Sequence, residues 1–210
     1  MSLEIVTLEL GPLSNNTYLI ADSQTSEAAV IDPAMDSERV LEAAEQRGWQ
    51  LQQIWLTHAH FDHIAGVHLL AGSRTPPLPV SLHPGDLPLY HDLGVARKFG
   101  FNIQAGPEPA VLLAHRQTLT IGGIAVEVRH APGHTPGHVV FYAPSAGVVF
   151  CGDLIFLGSV GRTNLPGGNH RQLIDSIQAQ ILSLPPQTRL LSGHGPETTV
   201  GDEIADNPFL

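Results

Sequence analysis

The sequence has few of the residues that bind nucleic acid or cross-link a secreted protein. It contains one lysine, and its single cysteine excludes an internal disulfide. Ten basic residues stand against 20 acidic ones, which gives a formal net charge of −10 at pH 7, and the basic residues form no extended run. Because an acidic chain without a basic patch binds a polyanion poorly, nucleic acid is not an expected partner.

Long hydrophobic stretches are missing as well. No apolar run approaches the roughly 18 residues that a membrane-spanning helix requires. The opening segment, MSLEIVTLEL, contains glutamates and no basic residue, which does not match a secretory signal peptide. We therefore expect a soluble protein of the cytoplasm that has no membrane partner.

The chain does have a globular composition and many histidines. Hydrophobic residues make up 42% of the 210 residues, which is enough for one well-buried domain over residues 1–210. The 12 histidines outnumber the 10 lysines and arginines taken together. The number alone establishes no function, so the positions of the histidines must decide.

The order of elements predicts an α/β fold. Short apolar strands alternate with helices, which we predict over 36–47 with Asp36 as the N-cap, 63–70, 87–99 and 171–184. The pattern breaks near residue 105, and we find neither a sequence repeat nor a linker. Each half can supply one sheet with helices outside it. This predicts a four-layer αββα sandwich, with two mixed sheets packed face to face.

The segment HAHFDH, residues 58–63, carries the densest group of possible metal ligands. In an extended chain His58 and His60 point to the same side, and the turn that follows brings Asp62 and His63 to the same mouth. Imidazole and carboxylate groups at this spacing bind zinc or a similar metal. A solvated histidine-rich turn is the alternative, but four ligating residues within six positions rarely coincide.

Three more candidates lie where other strands end. His134 is in the loop HAPGHTPGH, Asp153 follows the apolar strand VVFC and one glycine, and His194 is in SGHGP. Taken singly, His134 is equally a surface loop residue, and Asp153 is equally a helix cap or half of an ion pair. Together the seven residues exceed the four ligands of one tetrahedral ion, which suggests two ions that share a ligand. A carboxylate has two oxygens, so Asp153 is the candidate bridge.

With these motifs in view, the chain resembles the metallo-β-lactamase superfamily and, within it, single-domain hydrolases of the glyoxalase II (hydroxyacylglutathione hydrolase) type. The matching segments are THAHFDHIAG, APGHTPGH, GDLIFLGSVGRTNLPGGN, SGHGPETT and NPFL, from about residue 15 onward. The resemblance implies an αββα sandwich whose metals lie at one edge of the two sheets. It also implies one ion on His58, His60 and His134, a second on Asp62, His63 and His194, and Asp153 between them.

The resemblance further implies a reaction. A hydroxide shared by two divalent ions, which would be zinc, iron or manganese, would attack the acyl carbonyl of a small thioester such as S-lactoylglutathione. Asp62 would orient the hydroxide or take a proton. Arg162 would clamp a substrate carboxylate, or else it only orders its own loop through an ion pair.

Other functions remain open at this point. A mono-iron persulfide dioxygenase resembles this site, but it would bind a single iron and consume oxygen. An esterase, nuclease or other phosphoesterase of the same superfamily is the next alternative, although an acidic chain disfavours a nuclease. A metal-binding module without turnover is disfavoured because a structural zinc site is closed by four ligands.

The remaining reactive or aromatic residues are expected to be structural. Cys151 lies inside an apolar strand and is predicted to pack in the core and not to act as a nucleophile. Tyr18 is predicted to belong to the core, and His138 to pack or form a hydrogen bond behind the site. Surface or structural roles are expected for His68, His83, His91, His115, His130 and His170.

Overall fold

Two six-stranded sheets form the centre of the protein in the computed structural model, which describes residues 2–210. The strands of the first sheet are β1 (Leu3–Leu10), β2 (Asn15–Asp22), β3 (Glu27–Ile31), β4 (Gln50–Trp55), β5 (Val80–Leu82) and β6 (Val111–Leu112). They lie side by side in sequence order. The pairs from β1 to β3 are antiparallel and those from β3 to β6 are parallel, so the sheet is mixed.

The second sheet is also mixed. Its strands are β7 (Thr118–Ile121), β8 (Ile124–His130), β9 (Val139–Ala143), β10 (Val148–Gly152), β13 (Arg189–Ser192) and β14 (Thr198–Thr199). Their spatial order is β14-β13-β10-β9-β8-β7, and only β10 and β13 pair in parallel. A separate hairpin joins β11 (Ile155–Phe156) to β12 (Ser159–Val160).

Helices cover the outer faces of both sheets. They are α1 (Glu38–Arg47), α2 (Phe61–Ile64), α3 (Val67–Ala71), α4 (Leu87–His91), α5 (His170–Gln180) and α6 (Val200–Asp206). Residues of α1 and α3 share a core with the first sheet, and residues of α5 share one with the second. The predicted four-layer order of helix, sheet, sheet and helix is confirmed. No helix within residues 2–210 combines the length and the apolar character needed to cross a bilayer.

Side-chain alternation along the strands explains why there are layers. In β2, Leu19 faces the helices while Ile20 faces the other sheet, and both are fully buried. In β10, Phe150 faces the first sheet while Val149 faces α5. Strands that are buried on both faces read as continuous apolar runs, which is the pattern of these segments in the sequence.

Two of the predicted helix boundaries were wrong near the histidine motif. The first helix begins at Glu38 with Ser37 at the N-cap position, and Asp36 lies one residue outside it with a left-handed backbone conformation (φ 64°). The helix predicted over 63–70 is two short helices, α2 and α3. Between them, the backbone N–H of Gly66 donates to the carbonyl of Pro33 (2.9 Å). It therefore cannot make the hydrogen bond that a continuous helix would need.

The helix predicted over 87–99 is also broken. After α4, the backbone of Leu93, Gly94 and Val95 takes positive φ values of 53–61°. This left-handed turn is costly for a β-branched residue such as Val95 and persists only where packing demands it. Gly94 lies against the backbone of residues 59–61, which is the packing that holds the turn in place.

Candidate metal centre

The seven predicted ligands converge at one edge of the two sheets. HAHFDH follows the end of β4, and His134 lies in the loop that leaves β8. Asp153 follows β10, and His194 follows β13. Because β8, β10 and β13 run in the same direction, their carboxyl ends share an edge of the second sheet. A backbone hydrogen bond from Val139 N to Thr57 O (2.8 Å) joins that edge to the first sheet.

Donor atoms at this edge form three compact groups, each within 4.8 Å. One joins Asp32 to His58 and His63, and the other two match the predicted ligand sets. Of these two, the first group is His58, His60 and His134, and the second is Asp62, His63 and His194. Within the first, His60 Nδ1 lies 2.9 Å from His134 Nε2. Within the second, Asp62 Oδ2 lies 3.2 Å from His194 Nε2. The sequence spacing therefore placed both sets of side chains together.

Asp153 lies between the two groups. Its Oδ1 is 3.3 Å from His63 Nε2 and 3.8 Å from His194 Nε2, whereas its Oδ2 is 3.7 Å from His134 Nε2. One carboxylate oxygen thus faces each group. This is the placement expected of a bridging carboxylate.

Most of the imidazoles are oriented from behind by hydrogen bonds to the protein. In four of them Nδ1 is engaged, which turns Nε2 toward the centre, although His63 Nε2 also lies 3.0 Å from Asn15 Nδ2. The partners are Thr57 Oγ1 for His58, Asp32 Oδ2 for His63, the Arg162 carbonyl for His134 and the Leu13 carbonyl for His194, at 2.7–3.1 Å. Such outer partners fix the ring orientation that metal binding requires.

Buried donor atoms without partners test whether a metal fits. His58 Nε2 and Asp153 Oδ1 make no hydrogen bond within residues 2–210, although both atoms are shielded from solvent. Leaving buried polar atoms unpaired is costly, so native proteins seldom do so without a bound group. Nitrogen and oxygen donors converging in this way suit zinc, iron or manganese. The residues present therefore fit divalent metal ions.

The protonation states suit metal binding in the first group and in Asp153. Burial lowers the pKa of His60 to about 3, and the adjacent His134 adds to that shift. Burial also holds the pKa of His58 well below its ordinary value. Burial alone would raise the pKa of Asp153, but the neighbouring His63 lowers it overall. Neutral imidazoles and an ionised carboxylate are the forms that bind metal.

In the second group, burial alone would lower the pKa of His63 and of His194, but the neighbouring carboxylates of Asp153 and Asp62 raise both overall. A metal would therefore have to displace protons from these rings.

The sequence-based reasoning missed Asp32, which is buried behind the centre. Its Oδ2 accepts from His63 Nδ1 (2.9 Å), and its Oδ1 accepts from the backbone N–H of Thr57 (2.7 Å). Asp32 follows the apolar strand AAVI, so the argument that singled out Asp153 applied to it equally. Its carboxylate orients a predicted ligand.

Asp86 was also missed, and it joins the two histidine segments. Its Oδ2 accepts from the backbone N–H of Ala59 (3.0 Å) and from Thr135 Oγ1 (2.8 Å), and its Oδ1 accepts from Gly137 N (2.6 Å). Ala59 lies between His58 and His60, and Thr135 follows His134. No local signal distinguishes HPGD, residues 83–86, from an ordinary turn.

A pocket of about 590 Å³ opens over the centre. Its floor includes His60, Asp62, His134, Asp153 and His194. Most of the remaining lining is apolar, and Arg162 is its one lysine or arginine. The side-chain Nε of Arg162 donates to Asn164 Oδ1 (2.8 Å), and no carboxylate within residues 2–210 pairs with the guanidinium. The guanidinium thus makes a hydrogen bond within its own loop, and its role in substrate binding stays a prediction.

Three residues that were predicted to be structural, Cys151, Tyr18 and His138, are buried. Cys151 is fully buried, and burial raises the pKa of its thiol far above the ordinary value. Tyr18 is buried and donates to the carbonyl of Ser192 (2.6 Å). His138 lies behind the centre, where its Nε2 accepts from Asp153 N (3.2 Å) and its ring stacks on that of His58.

Two of the outlying histidines form a stacked pair. The rings of His83 and His130 are 4.0 Å apart and nearly parallel. Partial burial lowers the pKa of His83 to about 4, and the proximity of His130 adds to the shift.

This stack predicts a loss of stability in mild acid. Because the pKa of His83 is lower in the folded state than its ordinary 6.5, the unfolded state takes up the proton first. The stability that depends on a neutral His83 is fully present above about pH 6.5 and is lost as the pH falls toward 4. We expect the melting temperature of His83→Gln to fall less steeply than that of the unmodified protein as the pH is lowered from 7 to 5. His170→Gln, at an exposed position, is the control and should retain the steeper slope. Equal slopes for all three proteins would contradict the assignment.

Comparisons with known proteins agree with this geometry. The profile of the Metallo-beta-lactamase superfamily matches residues 10–194. The chain is similar to hydroxyacylglutathione hydrolase GloC of Haemophilus influenzae, with 34% identity over 212 residues that cover 100% of this chain and 98% of the relative.

Solved structures are also similar to this chain. The BLEG-1 B3 metallo-beta-lactamase has a TM-score of 0.90 and 38% identity, covering 99% of both chains. TTHA1623 in a di-iron-bound form has a TM-score of 0.89 and 44% identity, covering 98% of this chain and 100% of that one. Two of these relatives are named for different activities, and a metal is named for the third, the di-iron form of TTHA1623.

Proposed function

This chain belongs to the metallo-β-lactamase superfamily, and on that premise we propose that it is a two-metal hydrolase that cleaves small thioesters. The family supports a metal-dependent hydrolase with a histidine and aspartate metal-binding cluster. The observation that carries the finer proposal is the position of Asp153, with one oxygen toward each of two donor groups. A single closed site would need neither the second group nor the shared carboxylate.

We assign the ligands by these groups. His58, His60 and His134 would hold the first ion, Asp62, His63 and His194 the second, and Asp153 would bridge. Two divalent ions supply Lewis acidity toward a carbonyl oxygen and a hydroxide at neutral pH. Zinc is the first candidate for both, and the di-iron form of TTHA1623 makes iron a specific alternative.

The protein's own groups would position the reactants. Burial alone would raise the pKa of Asp62, but the neighbouring His63 lowers it overall, so Asp62 is ionised at neutral pH. Asp62 lines the pocket, with Oδ2 near His194 Nε2, and its other oxygen, Oδ1, is the atom that would orient the attacking water or take its proton. Asp32 and Asp86 would hold the ligand loops in place from behind.

The overall reaction consumes one water for each thioester. The new bond joins the water oxygen to the acyl carbon, and the carbon–sulfur bond breaks with its electron pair on sulfur. The products are a carboxylate, a thiol and one proton. Because a thiolate is a good leaving group, the pocket needs no further acid to protonate it.

Arg162 would bind a carboxylate of the substrate, since its guanidinium lines the pocket without an acidic partner. We expect Arg162→Gln to raise KM about 10-fold or more for a thioester whose thiol carries a carboxylate, because a hydrogen bond to a charged group is lost. A thioester of a neutral thiol should show little change in KM.

The control for this variant is Arg116→Gln, which removes an arginine that does not line this pocket. Steady-state kinetics with both thioesters measure the effect. An unchanged KM for the carboxylate-bearing substrate would remove Arg162 from the binding site.

One experiment tests the function as a whole. Metal content per chain would be measured on purified protein, followed by hydrolysis of S-lactoylglutathione and of a chromogenic β-lactam, and by oxygen uptake with glutathione persulfide. Two metals and thioester hydrolysis support the proposal. One iron with oxygen uptake, or hydrolysis of the β-lactam alone, would overturn it. We further propose that the substrate is a small molecule and that the enzyme acts in the cytoplasm.

A further inference from the structure

We propose that this site selects thioesters whose acyl group is apolar, an inference that rests on the proposed thioester hydrolysis. The supporting observation is the apolar wall of the pocket, which we define as Leu13, Phe61, Phe99, Phe156, Val160 and Leu165. Within residues 2–210, the lining is completed by predicted metal ligands and by Ser159, Arg162 and Gly195. A polar acyl group would therefore find few partners.

Large apolar side chains stand open at the mouth of this pocket. Leu13 is 44% exposed and Phe99 is 41% exposed. Exposed apolar surface that adjoins a pocket of polar catalytic groups is typical of a ligand-binding site. Covering it with an apolar substituent would remove both side chains from water.

The phenyl ring of Phe99 is held in place. It stacks on Phe61, with ring centres 5.5 Å apart, and Phe61 stacks in turn on Phe101 at 4.9 Å. Phe61 lies between His60 and Asp62 in the sequence, so the stack is attached directly to the predicted ligand loop. Because the wall is already fixed, little side-chain conformational entropy is lost when a substrate binds.

The opposite donor group has apolar neighbours too. The Leu13 carbonyl lies 3.1 Å from His194 Nδ1, and the Phe156 ring centre is 6.3 Å from that of His194. Apolar side chains thus adjoin both donor groups. A thioester carbonyl placed at the centre would have apolar side chains within reach of its acyl substituent on either side.

Acyl chain length gives a direct measure of the effect. Full burial of one methylene favours binding by about 4-fold. A series of S-acetyl, S-butanoyl and S-hexanoyl thioesters of the neutral thiol N-acetylcysteamine varies the acyl group alone. For the metal-loaded enzyme we expect kcat/KM to rise about 3- to 4-fold per methylene until the wall is covered.

The variant Phe99→Ala tests the wall, and Leu112→Ala is its control. Leu112 is 54% exposed and does not line the pocket. We expect the gain in kcat/KM to fall to about 2-fold per methylene in Phe99→Ala and to stay at the native value in Leu112→Ala. The reason is that only Phe99→Ala removes apolar area from the pocket. Leu13→Ser is a second variant of the wall, should Phe99→Ala not fold.

The outcomes separate the two proposals. A flat response to acyl length in the native enzyme would overturn the apolar selection and leave the hydrolase intact. A slope that persists in both wall variants would overturn the assignment to Phe99 and Leu13. Hydrolysis of no thioester, with two metals bound, would instead reject the proposed function on which the inference rests.

Discussion

Replacing Asp153 by asparagine is expected to lower the metal content below two per chain and to reduce kcat by more than about 100-fold, the loss that even an outer-shell change can cause. Asparagine keeps the size of the side chain but removes its charge and one of its two oxygens. The two oxygens face different donor groups, so both groups lose a ligand atom at once.

The matched control is Asp206→Asn, which removes an exposed carboxylate that is neither a predicted ligand nor part of the pocket lining. Metal analysis and steady-state kinetics on the two variants give the comparison. The bridging role is rejected if Asp153→Asn retains two ions and native kcat. A loss of both in Asp206→Asn would show that the assay responds to general damage.

The second large effect is expected for Gly94→Ala. Gly94 has a φ of 61°, and an added Cβ would lie 2.2 Å from Phe61 N and 2.6 Å from Ala59 O. Both contacts are to backbone, so neither atom can rotate away. Overpacking of this kind costs about 1–3 kcal/mol or more beyond the conformational penalty, and it would displace the loop that carries His58 and His60.

Gly147→Ala separates the clash from the backbone penalty. Gly147 has nearly the same φ, 62°, but a Cβ there would meet nothing within 4 Å. It should therefore cost only the left-handed penalty of about 1–2 kcal/mol. Chemical denaturation and metal titration measure both variants. Equal losses of stability, with native metal affinity in Gly94→Ala, would contradict the close packing described for this turn.

Much of the site was predictable because its residues follow strands. A strand end fixes both the position and the direction of the next few side chains, so the spacing in HAHFDH carried geometric information. Asp153 and His194 were predictable for the same reason. Asp86 was not, since its role depends on contacts with Ala59 and Thr135, which are distant in sequence.

The fold shows the same division between local and distant causes. Apolar strands and the layer order follow from residue patterns. The helix breaks at Gly66 and Gly94 follow from contacts with Pro33 and with residues 59–61, which no local pattern reveals. The strand β4 begins with Gln50, but its first residues are mostly polar and only its end is buried, so an apolar pattern reveals only that end.

The convergence of the two sheets at one edge has a kinetic consequence. Each proposed ion would take ligands from both sheets, with His58 and His60 opposite His134, and Asp62 and His63 opposite His194. Neither sheet alone holds a complete set. Parting of the two edges would remove ligands from both ions at once, so the rate of metal loss would rise whenever the packing of the two sheets is weakened.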